Sequence, residues 1–173
     1  MQIGSVDATI DVLLVENDPG DAMMAREAFG QAGKGTRLHV VSGRERALRF
    51  LRRGDGHGEA RMPGLIMLSF DLPEEHSLKF LAEVKEDPDL KVVPVVVLST
   101  SQDPSDVERS YGMHANAYVI KPADYDGFAE VVTKVSEFFT QVSETPRPPT
   151  KAVGARSAWQ CRPGPARRRP GRP

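Results

Sequence analysis

Five short apolar runs recur along the chain between Asp11 and Val142: Val12 to Val15, Leu38 to Val41, Leu65 to Leu68, Val93 to Leu98 and Ala117 to Ile120. Each is β-branched or Leu-rich at consecutive positions, the pattern of strands covered on both faces in a parallel sheet. Longer segments of helical period fill the gaps. Asp18 is placed to cap a helix with Pro19 in its first turn, and Asp21 to Gln31 carries Ala25, Ala28 and Phe29 on one side. A second helix, Arg44 to Arg53, aligns Ala47, Leu48 and Leu51 and is stopped by Gly54. The third runs from about Ser77 to Glu86, ahead of Pro88. Asp103 and Pro104 open a fourth that ends at Gly112, and Tyr125 to Val142 repeats Phe128, Val131, Val132, Val135, Phe138 and Phe139 at helical spacing. Five alternations of this kind predict an α/β protein, a doubly wound five-stranded parallel sheet of (βα)5 flavodoxin-like form.

Charge divides the chain in two. From Ser143 onward eight Lys or Arg stand against Glu144 alone, so this segment carries +7, and seven of the 14 prolines fall there, while the rest of the chain carries −8. The division predicts an N-terminal extension over 1–10, a folded domain over 11–142 and a basic, Pro- and Arg-rich disordered tail over 143–173. No apolar run reaches the roughly 18 residues of a membrane span, and the first residues have no signal-peptide pattern, so a cytoplasmic location is expected. The single cysteine, Cys161, excludes an internal disulfide and a thiolate metal cluster.

Ligands of doubly wound sheets bind outside the carboxyl ends of the strands. Those ends carry Glu16, Asn17 and Asp18 after the first strand, and Ser69, Phe70 and Asp71 after the third. Ser99 and Thr100 follow the fourth strand, and Lys121 and Pro122 the fifth. No Gly-rich phosphate loop follows the first strand and no Asp-x-Asp is found there, which disfavours a cofactor binder or a phosphatase on this architecture.

The segments LLVENDPGDA, HVVSGRERALRFL, VVVLSTSQ and HANAYVIKPADYDGF, in this order, resemble the receiver domain of bacterial response regulators. Within that family they look most like the stand-alone regulators that work with bacterial phytochromes. The resemblance covers about Asp11 to Val142. It implies a phosphoacceptor Asp after the third strand, an acidic pair after the first that holds Mg2+, a switch Ser or Thr after the fourth, and an aromatic and a Lys on and after the fifth. Carried over residue by residue, Lys121 is the phosphoryl-binding lysine, followed by Pro122 in a cis peptide, Ser99 the switch hydroxyl and Tyr118 the switch aromatic. The acidic pair is Glu16 and Asn17, one charge short, and the acceptor position holds Ser69.

A serine hydroxyl is a poor nucleophile without a base, and no histidine lies in these loops. One carboxylate, Glu16, facing one ammonium, Lys121, makes a near-neutral site that Mg2+ is not expected to occupy, any weak binding falling to Glu16 and Asp71. Without phosphate Lys121 is expected to pair with Glu16. Asp71 and Asp18 are the candidate substitute carboxylates. Asp71, however, lies about 6.6 Å beyond Ser69 along an extended chain, where it reads as a solvated loop residue, and Asp18 reads as a helix cap. Ser99 alternatively satisfies a backbone group, Tyr118 is as readily a fixed core or interface aromatic, and His114 reads as structural.

The resemblance therefore implies a single-domain atypical response regulator, not an enzyme, acting in two-component signalling by protein contact. The implied partners are a sensor histidine kinase or other signalling protein, and a second copy through the fourth helix, fifth strand and fifth helix. An alternative is phosphorylation on a substitute carboxylate, with a cofactor binder or phosphatase last. Arg167, Arg168 and Arg169 suit nucleic acid, but a solvated terminus, or GC-rich DNA read out of frame, accounts for RPGPARRRPGRP more simply, so neither nucleic acid nor membrane is an expected partner.

Overall fold

The computed structural model describes residues 9–31, 35–52, 62–71 and 74–143. The expected N-terminal extension lies outside these residues except for its last two positions, and so does the basic tail beyond Ser143. The elements alternate as β1 (Ile10–Val15), α1 (Pro19–Gln31), β2 (Thr36–Val41), α2 (Gly43–Leu51), β3 (Leu65–Ser69), α3 (Glu74–Glu86), β4 (Val95–Ser99), α4 (Pro104–Gly112), β5 (Ala117–Ile120) and α5 (Tyr125–Glu137), which continues into a π-helical turn, Phe138–Val142. All strand pairs are parallel, in the order β2-β1-β3-β4-β5.

Alternation within each apolar run builds two cores from one sheet. Leu13, Val15, Ile66, Leu68, Val95 and Val97 face α2 and α3, where Ala47, Leu48, Leu51, Phe80, Leu81 and Val84 complete the layer. Val12, Leu14, Leu65, Met67, Val96 and Leu98 face α1 and α5, packing on Ala25, Ala28, Phe29, Phe128 and Val132. Helix α4 stands apart, because its only buried residue is Ser110, whose Oγ donates to the Asp106 carbonyl at 2.7 Å.

Element boundaries moved where backbone chemistry outweighed side-chain pattern. β1 begins at Ile10, inside the expected extension, because its amide donates to the Gly35 carbonyl at 2.8 Å. β4 begins at Val95 rather than Val93, after Pro94, which has no N–H to give the ladder. α2 ends at Leu51, capped by Arg52, before Gly54, which lies outside the described residues. α3 starts three residues before Ser77, and α5 gives way to the π turn five residues before its expected end at Val142.

The start of α5 supplies a sharp test. Asp124 caps it by accepting from the Gly127 amide at 2.7 Å, and a Cβ on Gly127 would sit 2.8 Å from the Pro122 Cβ. Alanine normally stabilises a helix relative to glycine by about 1 kcal/mol. Here the rigid proline ring cannot yield, so Gly127→Ala is expected to lower stability by roughly 1 kcal/mol in urea unfolding. A gain of stability would show that the α5 entry is looser than described.

Candidate functional site

The carboxyl ends of β1, β3 and β5 meet around one ammonium group. Lys121, immediately after β5, is placed by its amide, which donates to the Ser99 carbonyl at 2.8 Å, and its side chain is 3% exposed. Its Nζ donates to Glu16 Oε2 at 2.7 Å, to Asp21 Oδ2 at 2.8 Å and to Ser69 Oγ at 3.0 Å, and lies 2.9 Å from Asp71 Oδ2.

Each partner arrives through its own local structure. Glu16 extends β1 by one residue, donating its amide to the Val41 carbonyl, and its Oε1 accepts from the Asp18 amide at 2.9 Å. Asp18 caps α1, its Oδ1 accepting from the Asp21 amide at 2.9 Å, which turns the first helical turn so that Asp21 reaches Lys121. Ser69 is the last residue of β3 and fully buried, and its carbonyl accepts from Ser77 Oγ of α3 at 3.0 Å. Asp71 follows the bend after β3, with 31% of its side chain open to solvent. Its Oδ1 accepts from the Thr100 amide at 3.2 Å and from the Thr100 hydroxyl at 3.0 Å.

The expected pairing of Lys121 with Glu16 is present, and Asp18 is the helix cap. Three other expectations, on the charge of the site, the reach of Asp71 and the Lys121–Pro122 peptide, are corrected. The site is not near neutral, because three carboxylates surround one ammonium. Asp71 is an exposed loop residue as expected, but its carboxylate is not remote: the bend after β3 brings it back to Lys121. Ser99 has the alternative role expected for it, buried with its Oγ accepting from the Ser101 amide at 3.1 Å, and the hydroxyl that meets Asp71 belongs to Thr100. The Lys121–Pro122 peptide is trans, the isomer that an X–Pro bond favours by about 0.5–1 kcal/mol. Asp21 was missed altogether. Its one sequence signal was an acid in the first turn of a helix that starts at the site, a position equally suited to the helix dipole.

Burial alone would lower the Lys121 pKa, but its bonds to Asp21, Glu16 and Asp71 and the nearby charge of Glu16 outweigh that and hold it well above the ordinary lysine value. Asp71 shows the mirror image. Burial would raise its pKa, yet the bond to Lys121 and its charge, with the Thr100 bonds, hold it below the usual carboxylate value. Lys121 and Asp71 thus form an ionised pair at neutral pH. Asn17 is exposed and lies outside it, its amide oxygen beside Gly43. Among the described residues no group of three or more His, Cys, Asp or Glu has the arrangement of a metal site.

Tyr118 sits on β5 with its ring half-buried against Phe70, edge-on at 6.2 Å between centroids. Its hydroxyl donates to the Ser101 carbonyl at 3.0 Å. His114 adopts a φ of 66° in the α4–β5 loop, a turn-forming and therefore structural position. No described helix is long and apolar enough to cross a membrane.

Residues 12–133 match the family described as the response regulator receiver domain. The probable methanogenesis regulatory protein FilR2 of Methanothrix harundinacea is 31% identical over 79% of this chain and 88% of its own length. Response regulator Rcp1 of Synechocystis is 31% identical over 78% of this chain and 92% of that one. The Mn2+-bound form of Rcp1 superposes with a TM-score of 0.72, covering 79% of this chain and 99% of that structure. The phosphorylated cyanobacterial phytochrome response regulator RcpA superposes with a TM-score of 0.75 at 33% identity, over 80% of this chain and 99% of that one.

Proposed function

The chain belongs to the response regulator receiver family of two-component signalling, and from that premise we propose that it acts as a single-domain regulator through protein contact, without phosphate at Ser69 and without enzymatic activity of its own. The observation that carries this reading is the position of Ser69 itself. Its hydroxyl is fully buried and accepts a hydrogen bond from an ammonium held firmly protonated. Nucleophilic attack needs a group that takes the hydroxyl proton, and Lys121 has no vacant lone pair with which to do so.

Receiver domains bind Mg2+ or Mn2+ at the phosphorylation site, as the Mn2+-bound form of Rcp1 illustrates. The donor set here does not fit such an ion. Glu16, Asp21 and Asp71 all direct an oxygen at Lys121 Nζ, so the ammonium stands where a divalent cation would need those oxygens, and Asn17 offers no charge in replacement. The proposed partners are a sensor histidine kinase or another signalling protein. The contact face would comprise α4, β5 and α5, where Tyr111, Ile120 and Tyr125 are exposed, and it equally suits a second copy of the chain.

One observation favours a second reading, in which Asp71 accepts phosphate: its carboxylate is ionised, lies 2.9 Å from Lys121 and is open to solvent. Intact-mass measurement after incubation with acetyl phosphate and Mg2+ separates the two. No added phosphate is expected on the wild-type chain. An acid-stable phosphate mapped to Ser69 would overturn the proposal, and an acid-labile one lost in Asp71→Asn would establish the second reading.

A further inference from the structure

We infer that Asp71 is an internal occupant of the phosphoryl position, a carboxylate of the chain's own that holds the β4–α4 loop and Tyr118 in the arrangement a bound phosphoryl group would impose. The inference rests on the proposed reading of a receiver that works without phosphate, and it names what regulates the site instead.

The bonds form one continuous path. Asp71 Oδ2 is on Lys121, and Asp71 Oδ1 holds Thr100 twice, through its amide and its hydroxyl. A phosphoryl group placed here would meet the same donors, an ammonium for one oxygen and a backbone N–H and a hydroxyl of the loop after β4 for another. The next residue, Ser101, passes the constraint on in two directions. Its carbonyl accepts from the Tyr118 hydroxyl at 3.0 Å, and its Oγ lies 2.6 Å from Asp106 Oδ2 in the first turn of α4. Tyr111 of α4 closes the circuit, its hydroxyl accepting from the Tyr118 amide at 3.4 Å.

This path matters because α4 buries little apolar surface of its own. The helix buries Ser110 and no apolar side chain, so the polar bonds that run through Ser101, Tyr111 and Tyr118 help to place it. A carboxylate held by Lys121 therefore sets the position of a loosely packed helix on the face proposed for partners. Glu16 and Asp21 remain on Lys121 if Asp71 is removed, so the path can be cut without dissolving the ion cluster.

The test compares amide NMR spectra and hydrogen exchange of the full-length wild type, Asp71→Ala and Thr100→Val at neutral pH. Thr100 is exposed, so its valine variant tests the path even where Asp71→Ala folds poorly. In Asp71→Ala the Thr100 amide is expected to exchange about tenfold faster, with Ser101, Tyr118 and α4 amides displaced and those of β1 and β2 unmoved. Thr100→Val should displace the same signals by less. Ser101 and Tyr118 signals that stay at their wild-type positions in both variants would overturn the inference. Covalent phosphate on the wild type would instead overturn the phosphate-free reading, whatever these spectra show, so the two failures are distinguishable.

Discussion

Replacing Lys121 by methionine is expected to destabilise the domain by about 3–5 kcal/mol at neutral pH, the cost of breaking a buried ion pair by removing one partner. Methionine fills similar space, so the loss comes from charge rather than from a cavity. Glu16 is 2% exposed and would keep only the Asp18 amide as partner, while Asp21 and Asp71 would face it without a cation. At roughly 3–5 °C per kcal/mol for a domain of this size, the midpoint of thermal unfolding should fall by about 10–20 °C.

The pH dependence identifies the cause. The raised Lys121 pKa contributes stability that is fully present below the unfolded lysine value of about 10.4 and is lost as pH rises through the higher folded value. The depressed Asp71 pKa contributes stability present above the unfolded value of about 3.9 and lost as pH falls through the lower folded value. In Lys121→Met, Asp71 loses the bond and the charge that hold its pKa down, so it protonates at higher pH than in the wild type and sheds a charge that has no partner. The gap between variant and wild type should therefore be largest from about pH 6 to 9 and shrink by half or more near pH 4. Urea unfolding at the two pH values checks this. A variant as stable as the wild type at neutral pH would mean that the cluster contributes no net stability.

Phe80→Ala should cost a similar amount, about 3–5 kcal/mol, for an unrelated reason. Phe80 is fully buried on α3 and is the largest fully buried side chain among the described residues. It packs in the layer of α2 and α3 beneath Leu13, Ile66, Leu68 and Val97. Truncation removes its burial and leaves a cavity that a sheet with cores on both sides cannot close. No ionisable group takes part, so its cost should be the same at pH 4 as at pH 7, in contrast to Lys121→Met. A variant that loses less than about 1.5 kcal/mol would show that the helices slide inward to refill the space.

The sheet and its helices were legible because their signals are local. Leu65 to Leu68 and Val95 to Leu98 are apolar at every position, which only a strand buried on both faces needs, and Asp103 with Pro104 marks a helix start in any context. Ser69 at the end of β3, Lys121 after β5 and the capping role of Asp18 followed from the same register. Where local chemistry competed with pattern, as at Pro94 or the π turn that ends α5, boundaries shifted by a few residues.

The contents of the site were less legible, because they depend on convergence rather than order. Asp21 and Lys121 are 100 residues apart and meet at 2.8 Å only because α1 and β5 are both anchored to one sheet. Asp71 was placed too far away by extending the strand, whereas the bend after Ser69 returns its carboxylate to Lys121. Ser99 and Thr100 are adjacent hydroxyls that sequence cannot rank, and the hydrogen bonds of the β4–α4 loop assign Thr100 to Asp71 and Ser99 to the backbone. By itself the sequence determined the alternation of five strands and five helices, the parallel two-sided sheet and the serine at the end of β3, since periodicity and residue identity are properties of the chain. Only the tertiary structure decided the charge of the site and what occupies it, since carboxylates from the end of β1, the first turn of α1 and the bend after β3 share one ammonium only after packing has set the distances between them.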